Sequence, residues 1–301
     1  METKKKNSSL LQLMEKYPDE VSARKYFECL RWENGIICPH CESRKRVYIY
    51  DDGRLYKCSE CLKQFTVKIG TIFEGSALPL RKWLLAIYIE GSHKKGISSI
   101  QLAKDLGVTQ KSAWFMLHRI RFALDNGSIL KGVVEADESY FGGKDSNKHK
   151  IKKLKGSKKS VVVGAVERGG NVKALKVRFV GEDAVKFVVD NVERGSVLMT
   201  DEARHYTKIC EKGFRHGSIN HSGGKYVNGV IHTNTIEGFW SHLKRGINGI
   251  QHHVSDKHLQ KYINVYSYRW NTREMTDFDR FEMTMKNLTG RLTYKELIGK
   301  E

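Results

Sequence analysis

Two sets of residues in this 301-residue chain have types and spacings that could do chemistry. The first is four cysteines, Cys38, Cys41, Cys58 and Cys61, in the pattern C-x2-C-x16-C-x2-C. Each C-x2-C turn lets two sulfurs face one ion, so the pair of turns offers a four-thiolate zinc site. Four thiolates leave no open position, and the expected Zn2+ is therefore structural. The second set is three acids far apart in the chain, Asp137, Asp201 and Glu237, in the pattern D-x63-D-x35-E. Three gathered carboxylates can hold two divalent cations roughly 4 Å apart, an arrangement suited to in-line displacement at phosphorus. Mg2+, or Mn2+ in its place, suits carboxylate and water oxygens. Lys244 follows Glu237 by seven residues. Two helical turns return it to almost the same face, on the order of 10 Å along the axis, where it can meet a phosphate. Asn234 lies one turn before Glu237 and is a second candidate for the third oxygen. We take Glu237 as the third ligand because it has the lysine seven residues on.

These residues need elements to position them. Asp137 ends the run "VVEA" and precedes "SYFGG", and Asp201 follows "SVLMT". Both fall at the C-terminal ends of apolar strands, where open α/β sheets place ligand sites. Glu138 and Glu202 point the other way if the strands continue, and are weaker candidates. "SVVVGAVERGG" and "NVKALKVRFV" meet at a Gly-Gly-Asn turn and read as a hairpin. "EDAVKFVVDNV" reads as a helix, and so does most of the chain after Gly238, best over 256–271 and 276–298. The fold class is α+β or α/β, a mixed sheet flanked by helices. Glu237, Asn234 and Lys244 belong to the helix within "IHTNTIEGFWSHLKRGINGI", where Phe239 and Trp240 read as core residues. His232, His242, His252 and His253 read as polar or DNA-facing rather than as metal ligands.

Upstream, "RVYIYDDGRLYKCSE" alternates like a hairpin with "DDG" as its turn, which makes the cysteine region a zinc ribbon. Cys29 and Cys210 fall outside the pattern and read as ordinary buried cysteines. "PLRKWLLAIYIEG" reads as a helix stopping at Gly91. "SSIQLAKDLGVTQKSAWFMLHRIRFAL" reads as helix, Gly107 turn and helix, with Ser98 or Ser99 and then Thr109 as caps. That is a helix-turn-helix whose second helix, 110–121, would enter the major groove, although helix pairs of purely structural role share the pattern.

Lys and Arg number 53 against 34 Asp and Glu, a net charge of +19 that calls for a polyanion, nucleic acid first. The stretch 144–159 carries eight Lys and one Asp and reads as a solvated loop. The N-terminus lacks the apolar stretch of a signal peptide, and the longest apolar run, 83–89, is too short to span a membrane. A cytoplasmic protein without a membrane partner is expected, with its cysteines spent on metal rather than disulfides.

"RWENGIICPHC", the second C-x2-C turn, "ADESYFGGK", "TDEA", "HTNTIEGFWSHLKRGI" and "YRWNTR" together resemble a bacterial group of insertion-sequence DDE transposases, the ISXO type, from about residue 20 to 273. The resemblance implies a ribonuclease-H-like catalytic core behind an N-terminal zinc ribbon. It implies water-driven cleavage of the element's ends and attack of the freed 3′-hydroxyl on target DNA, without a covalent protein–DNA intermediate. The implied partners are double-stranded DNA, as terminal repeats and target, and further copies of the chain, a homodimer or higher on DNA, at the nucleoid. The expected division is 1–75 for the N-terminal helix and zinc ribbon, 76–126 for the helix-turn-helix, 127–275 for the catalytic domain and 276–301 for a helical tail. The competing reading is a DNA-binding regulator or domesticated transposase with an inactive ribonuclease-H-like domain, against which the three intact acids argue. A plain nuclease or resolvase has little use for two N-terminal DNA-binding modules.

Overall fold

The computed structural model describes residues 9–124, 128–142, 159–201, 204–218 and 232–299. Glu202 and all of the Lys-rich stretch except Lys159 lie outside them. The chain forms two compact units, one of residues 1–124 and 274–301, the other of residues 125–273.

The first unit begins with helices α1 (Leu10–Lys16) and α2 (Glu20–Arg31). Asp19 starts α2 by accepting the Ser22 amide at 2.7 Å. Strands β1 (Val47–Tyr50), β2 (Leu55–Cys58) and β3 (Gln64–Phe65) then form an antiparallel sheet in that order. The β1–β2 turn holds Asp51, Asp52 and Gly53 at positive φ, a conformation that Asp and Gly tolerate best. Helices α3 (Leu80–Ser92), α4 (Ser99–Leu106) and α5 (Gln110–Ala123) follow. Ser98, not Ser99, caps α4, Thr109 caps α5, and Gly107 between them sits at φ +59°. From Met116 to Arg121 every residue of α5 is buried, leaving Gln110 and Lys111 of its first turn exposed. The far half of the expected recognition helix is therefore core. Within it Arg121 meets Glu90 at 3.1 Å, both side chains 2% exposed.

The second unit is built on a five-stranded sheet. Its strands are β4 (Val133–Phe141), β5 (Ser160–Glu167), β6 (Val172–Val177), β7 (Val197–Thr200) and β8 (Arg215–Ser218), with α6 (Gly181–Asn191) between β6 and β7. The order is β6-β5-β4-β7-β8. β4, β5 and β6 pair antiparallel, while β7 runs parallel to β4 and β8 parallel to β7. This is a ribonuclease-H-like sheet. β8, "RHGS", has no apolar run to announce it and exists through its pairing with β7.

Strand alternation divides the interior. Val134, Ala136 and Leu198 pack on Phe187 and Val188 of α6. On the other face Phe141, Val162 and Val166 pack under α7 (Asn234–Gly246) and α8 (Leu259–Asn271), through Ile236, Trp240, Leu243 and Ile263. Where α7 crosses α8, a Cβ on Gly246 would overlap the Tyr266 hydroxyl, so only glycine allows that approach.

The chain then returns to the first unit. The stretch 276–298 is two helices, α9 (Asp277–Lys286) and α10 (Tyr294–Ile298), rather than one piece. The break comes where Gly290 takes φ +91° and Thr289 bridges to Thr71. Arg119 ties this return to the core, donating to the Leu292 carbonyl at 3.0 Å and the Ile72 carbonyl at 2.8 Å. Cys29 and Cys210 are exposed, not buried. Cys29 lies off the face through which Ala23 and Phe27 bury α2, and Cys210 turns outward beside buried Ile209. Among the described residues no helix is long and apolar enough to cross a membrane.

Candidate active site

The four cysteine sulfurs lie within 4.8 Å of one another. Cys38 and Cys61 are 3.7 Å apart, as are Cys41 and Cys58. A tetrahedron with Zn–S bonds of ~2.3 Å has edges of ~3.8 Å, so the donor set fits zinc. Backbone amides, that of Cys61 foremost, pull the Cys58 thiol down to about 7, toward the thiolate a metal needs. Among the described residues, Tyr56 and Phe65 join the buried cysteines around the site, with half-buried Ile36, Val47 and Ile69 packed against them and Trp32 edge-on to Tyr56 at 4.9 Å. So small a core needs a staple, and zinc is one.

The second unit brings Asp137 and Asp201 together, with Asp201 just past the end of β7 as expected but Asp137 in the middle of β4 rather than at its end, because the pairing with β5 runs on to Phe141. β4 and β7 pair from Val133↔Val197 to Glu135↔Met199, and the same register carried two residues on sets Asp137 opposite Asp201. Burial pushes the Asp137 carboxyl up to about 6, and the charges of Glu138 and Asp201 push in the same direction. Two donors work against them: the Glu138 backbone amide, and the Trp240 indole N–H, which reaches Asp137 Oδ2 at 2.9 Å. Trp240 can lie there because Asp137's partner on β5 is Gly164, where a Cβ would stand 2.6 Å from the indole ring. Trp240 is thus a core residue, as expected from sequence, and also a ligand to the first aspartate.

Glu237 and Asn234 are both exposed on the first turn of α7. Glu237 accepts from the Thr233 hydroxyl at 3.2 Å. Among the described residues the only compact group of potential metal ligands is the four cysteines, so Glu237 is not gathered with the aspartates as a closed three-carboxylate cluster. Lys244 is exposed two turns on, with Nζ 5.9 Å from the centre of the Phe141 ring at the end of β4. It therefore flanks the end of the strand that carries Asp137. His232, His242, His252 and His253 join no metal-binding group among the described residues.

Sequence reasoning weighed Glu138 as the weaker candidate and passed over three other neighbours of the site, His205, Tyr206 and Glu135. Glu138 faces away from α7 and accepts from His205 Nε2 at 2.9 Å and from the Tyr206 hydroxyl at 2.6 Å. Burial and the nearby carboxylates push the Tyr206 hydroxyl well up, so it stays a donor. Glu135 is fully buried on the α7 face of β4, paired with Arg168 at 2.7 Å. The signal was available: in "VVEAD" an acid sits inside an apolar strand, on the same side as Asp137. Its partners, 33 to 101 residues away, were not legible.

Residues 129–271 match the family described as ISXO2-like transposase domain, and residues 18–64 match the transposase zinc-ribbon domain. A protein of Halobacterium salinarum, described as an uncharacterized protein in transposable element ISH50, is 30% identical over 258 residues, 80% of this chain and 87% of that one. That relative is archaeal, so the likeness is not confined to bacteria. Distant likenesses to solved structures include the Mos1 strand transfer complex, with a TM-score of 0.30, 12% identity, and 64% of this chain and 70% of that chain covered. Another is a simian T-cell lymphotropic virus intasome in complex with PP2A regulatory subunit B56 gamma, with a TM-score of 0.30, 16% identity, and 62% and 65% covered.

Proposed function

This chain belongs to the ISXO2-like DNA transposases, and we propose that it cuts the ends of its mobile element and joins them to target DNA at the Asp137–Asp201 pair. The observation that carries the reading is that pair. Asp137 in the middle of β4 and Asp201 just past the end of β7 lie near enough for the charge of Asp201 to act on Asp137, and burial with that like charge holds the Asp137 carboxyl up at about 6. The donor set is all oxygen, which suits Mg2+ or Mn2+. Bound there, the metal would activate the attacking oxygen and neutralise charge on the phosphoryl group in an in-line displacement.

The chain's own residues do the rest. Asp137 and Asp201 hold the cation, Trp240 orients Asp137, and Glu237, with Asn234 as the alternative, supplies the third oxygen from α7. Lys244 holds the DNA backbone beside the end of β4 by charge. The zinc ribbon and the first turn of α5, with Gln110 and Lys111, recognise the element's ends. A helix-turn-helix reads bases from the N-terminal residues of its second helix, which is the part of α5 left exposed. The net charge of +19 supports a DNA partner. Joining two ends calls for at least two copies of the chain on DNA.

The test is to incubate the chain with its terminal repeats, target DNA and Mg2+ or Mn2+. Wild type is expected to nick the ends and join them. Asp201→Ala is expected to lose about a thousandfold or more, the equivalent of roughly 4 kcal/mol. No cleavage by wild type rejects the enzyme reading in favour of a DNA-binding regulator, and an equally active alanine variant rejects the site.

A further inference from the structure

Among the described residues of the second unit Glu135 is the most completely enclosed carboxylate, 0% exposed on the strand that carries Asp137. Burying a carboxylate is costly unless donors surround it. Here Arg168 Nε stands at 2.7 Å, the Thr235 amide at 2.8 Å, the Thr235 hydroxyl at 2.9 Å and the Ile236 amide at 3.1 Å. His232 Nδ1 lies 3.2 Å away. Arg168 also reaches the His232 carbonyl at 2.8 Å, holding the segment that leads into α7. Two of the donors are first-turn amides of α7, whose helical partners are missing and whose dipole end is positive.

The position of this carboxylate gives the contact a purpose beyond packing. Glu135 and Asp137 project to one side of β4, roughly 7 Å apart along the strand. Each grips α7: Glu135 at Thr235 and Ile236, Asp137 at Trp240. Two grips a turn apart fix both the axial position of the helix and its rotation. Glu237 lies between them, and Asn234 just before the first.

We propose that Glu135 is a positioning residue that sets the third metal-ligand oxygen, on Glu237 or Asn234, relative to the Asp137–Asp201 pair. The inference rests on the reading of α7 as the carrier of that ligand. Glu135→Gln keeps the shape but places an amide N–H against donors, so the first turn of α7 is pushed off.

The test is Mn2+ binding to the full chain, followed by electron paramagnetic resonance of the free ion and independent of cleavage. Glu135→Gln should weaken binding about tenfold or more, within the range for residues that orient metal ligands. Glu135→Asp, which keeps the charge, should recover part of the loss. In a Glu237→Gln, Asn234→Ala background the Glu135→Gln effect should vanish, because the ligand it positions is gone. Thr235→Val removes one donor without touching the backbone amides, and should weaken binding by a smaller factor should Glu135→Gln fail to fold. Unchanged Mn2+ affinity in both Glu135→Gln and Thr235→Val overturns the proposal while leaving the metal site standing. So does a Glu135→Gln loss that persists in full without Glu237 and Asn234, since Glu135 would then act on β4 directly. A wild-type chain that binds no Mn2+ overturns the metal site, and this inference with it.

Discussion

At the scale of single residues, the centre of the site is the opposition between burial and hydrogen bonding at Asp137. Its carboxyl is pushed up to about 6 by burial and by the charges of Glu138 and Asp201, and drawn back down by the Glu138 backbone amide and by Trp240. A folded-state value above the unfolded one means stability that is present at low pH and lost as pH rises through about 6. A divalent cation removes that cost, so added Mn2+ should raise the unfolding temperature more near neutral pH than near pH ~5, as a thermal scan at both would read. Trp240→Phe deletes the donor, so Asp137 protonates more readily. The pH at which Mn2+ affinity is half lost should move upward, as titrations across the acid range would measure. A downward move would mean that the indole does not favour the ionised form. Asp201 and the four cysteines were legible in the sequence because each is marked locally, by a strand end or by a C-x2-C turn, whereas Asp137 lies in the middle of β4 and was marked only by its type and spacing. Glu135, Gly164 and the second role of Trp240 were not legible. Their meaning lies in contacts across the sheet, such as the 103-residue separation between Asp137 and Trp240.

At the scale of elements, local signals held where they were chemical and failed where they were tertiary. Ser98, Gly107 and Thr109 bound α4 and α5 as caps and turn should, since capping needs only a few neighbouring atoms. The burial of the far half of α5 could not be read in the same way, because Arg119 and Arg121 look like DNA-binding cations until their partners Ile72, Leu292 and Glu90 are known. β8 was invisible, having no apolar pattern, and α9 and α10 read as one piece because their break is made by a bridge to Thr71. Helix α7 depends on Gly246, the point where it lies against Tyr266 of α8. Gly246→Ala must displace one helix from the other, at a cost of typically 1–3 kcal/mol for overpacking. Because the same helix carries Glu237, Mn2+ binding should weaken along with the unfolding temperature. A variant with wild-type metal affinity and lowered stability would separate the crossing from the site.

At the scale of the whole molecule, zinc and chain connectivity both act on the first unit. The zinc ribbon lies in the first unit, and its buried core is little more than Tyr56, Phe65 and the cysteines Cys38 and Cys58. Stripping zinc with a strong chelator should therefore raise hydrogen exchange across residues 38–65 and leave the sheet of residues 133–218 protected. Equal loss of protection in both would show that the two units share one cooperative transition. The C-terminal return has the opposite position in sequence and the same destination. Deleting 276–301 removes the Leu292 carbonyl that Arg119 holds, along with the Leu288 carbonyl that accepts the Ile72 amide. Such a truncation should lower the unfolding temperature of the N-terminal half, read by exchange at residues 72–121, while residues 133–218 keep theirs. The same connectivity orders events on the ribosome. The first unit is interrupted by the whole of residues 125–273 and cannot close its core until residues beyond 274 emerge. At ordinary synthesis rates that is a wait on the order of ten seconds. During it the nascent chain already carries the sheet with Asp137 and Asp201, but the unit proposed to recognise DNA ends is still unfinished.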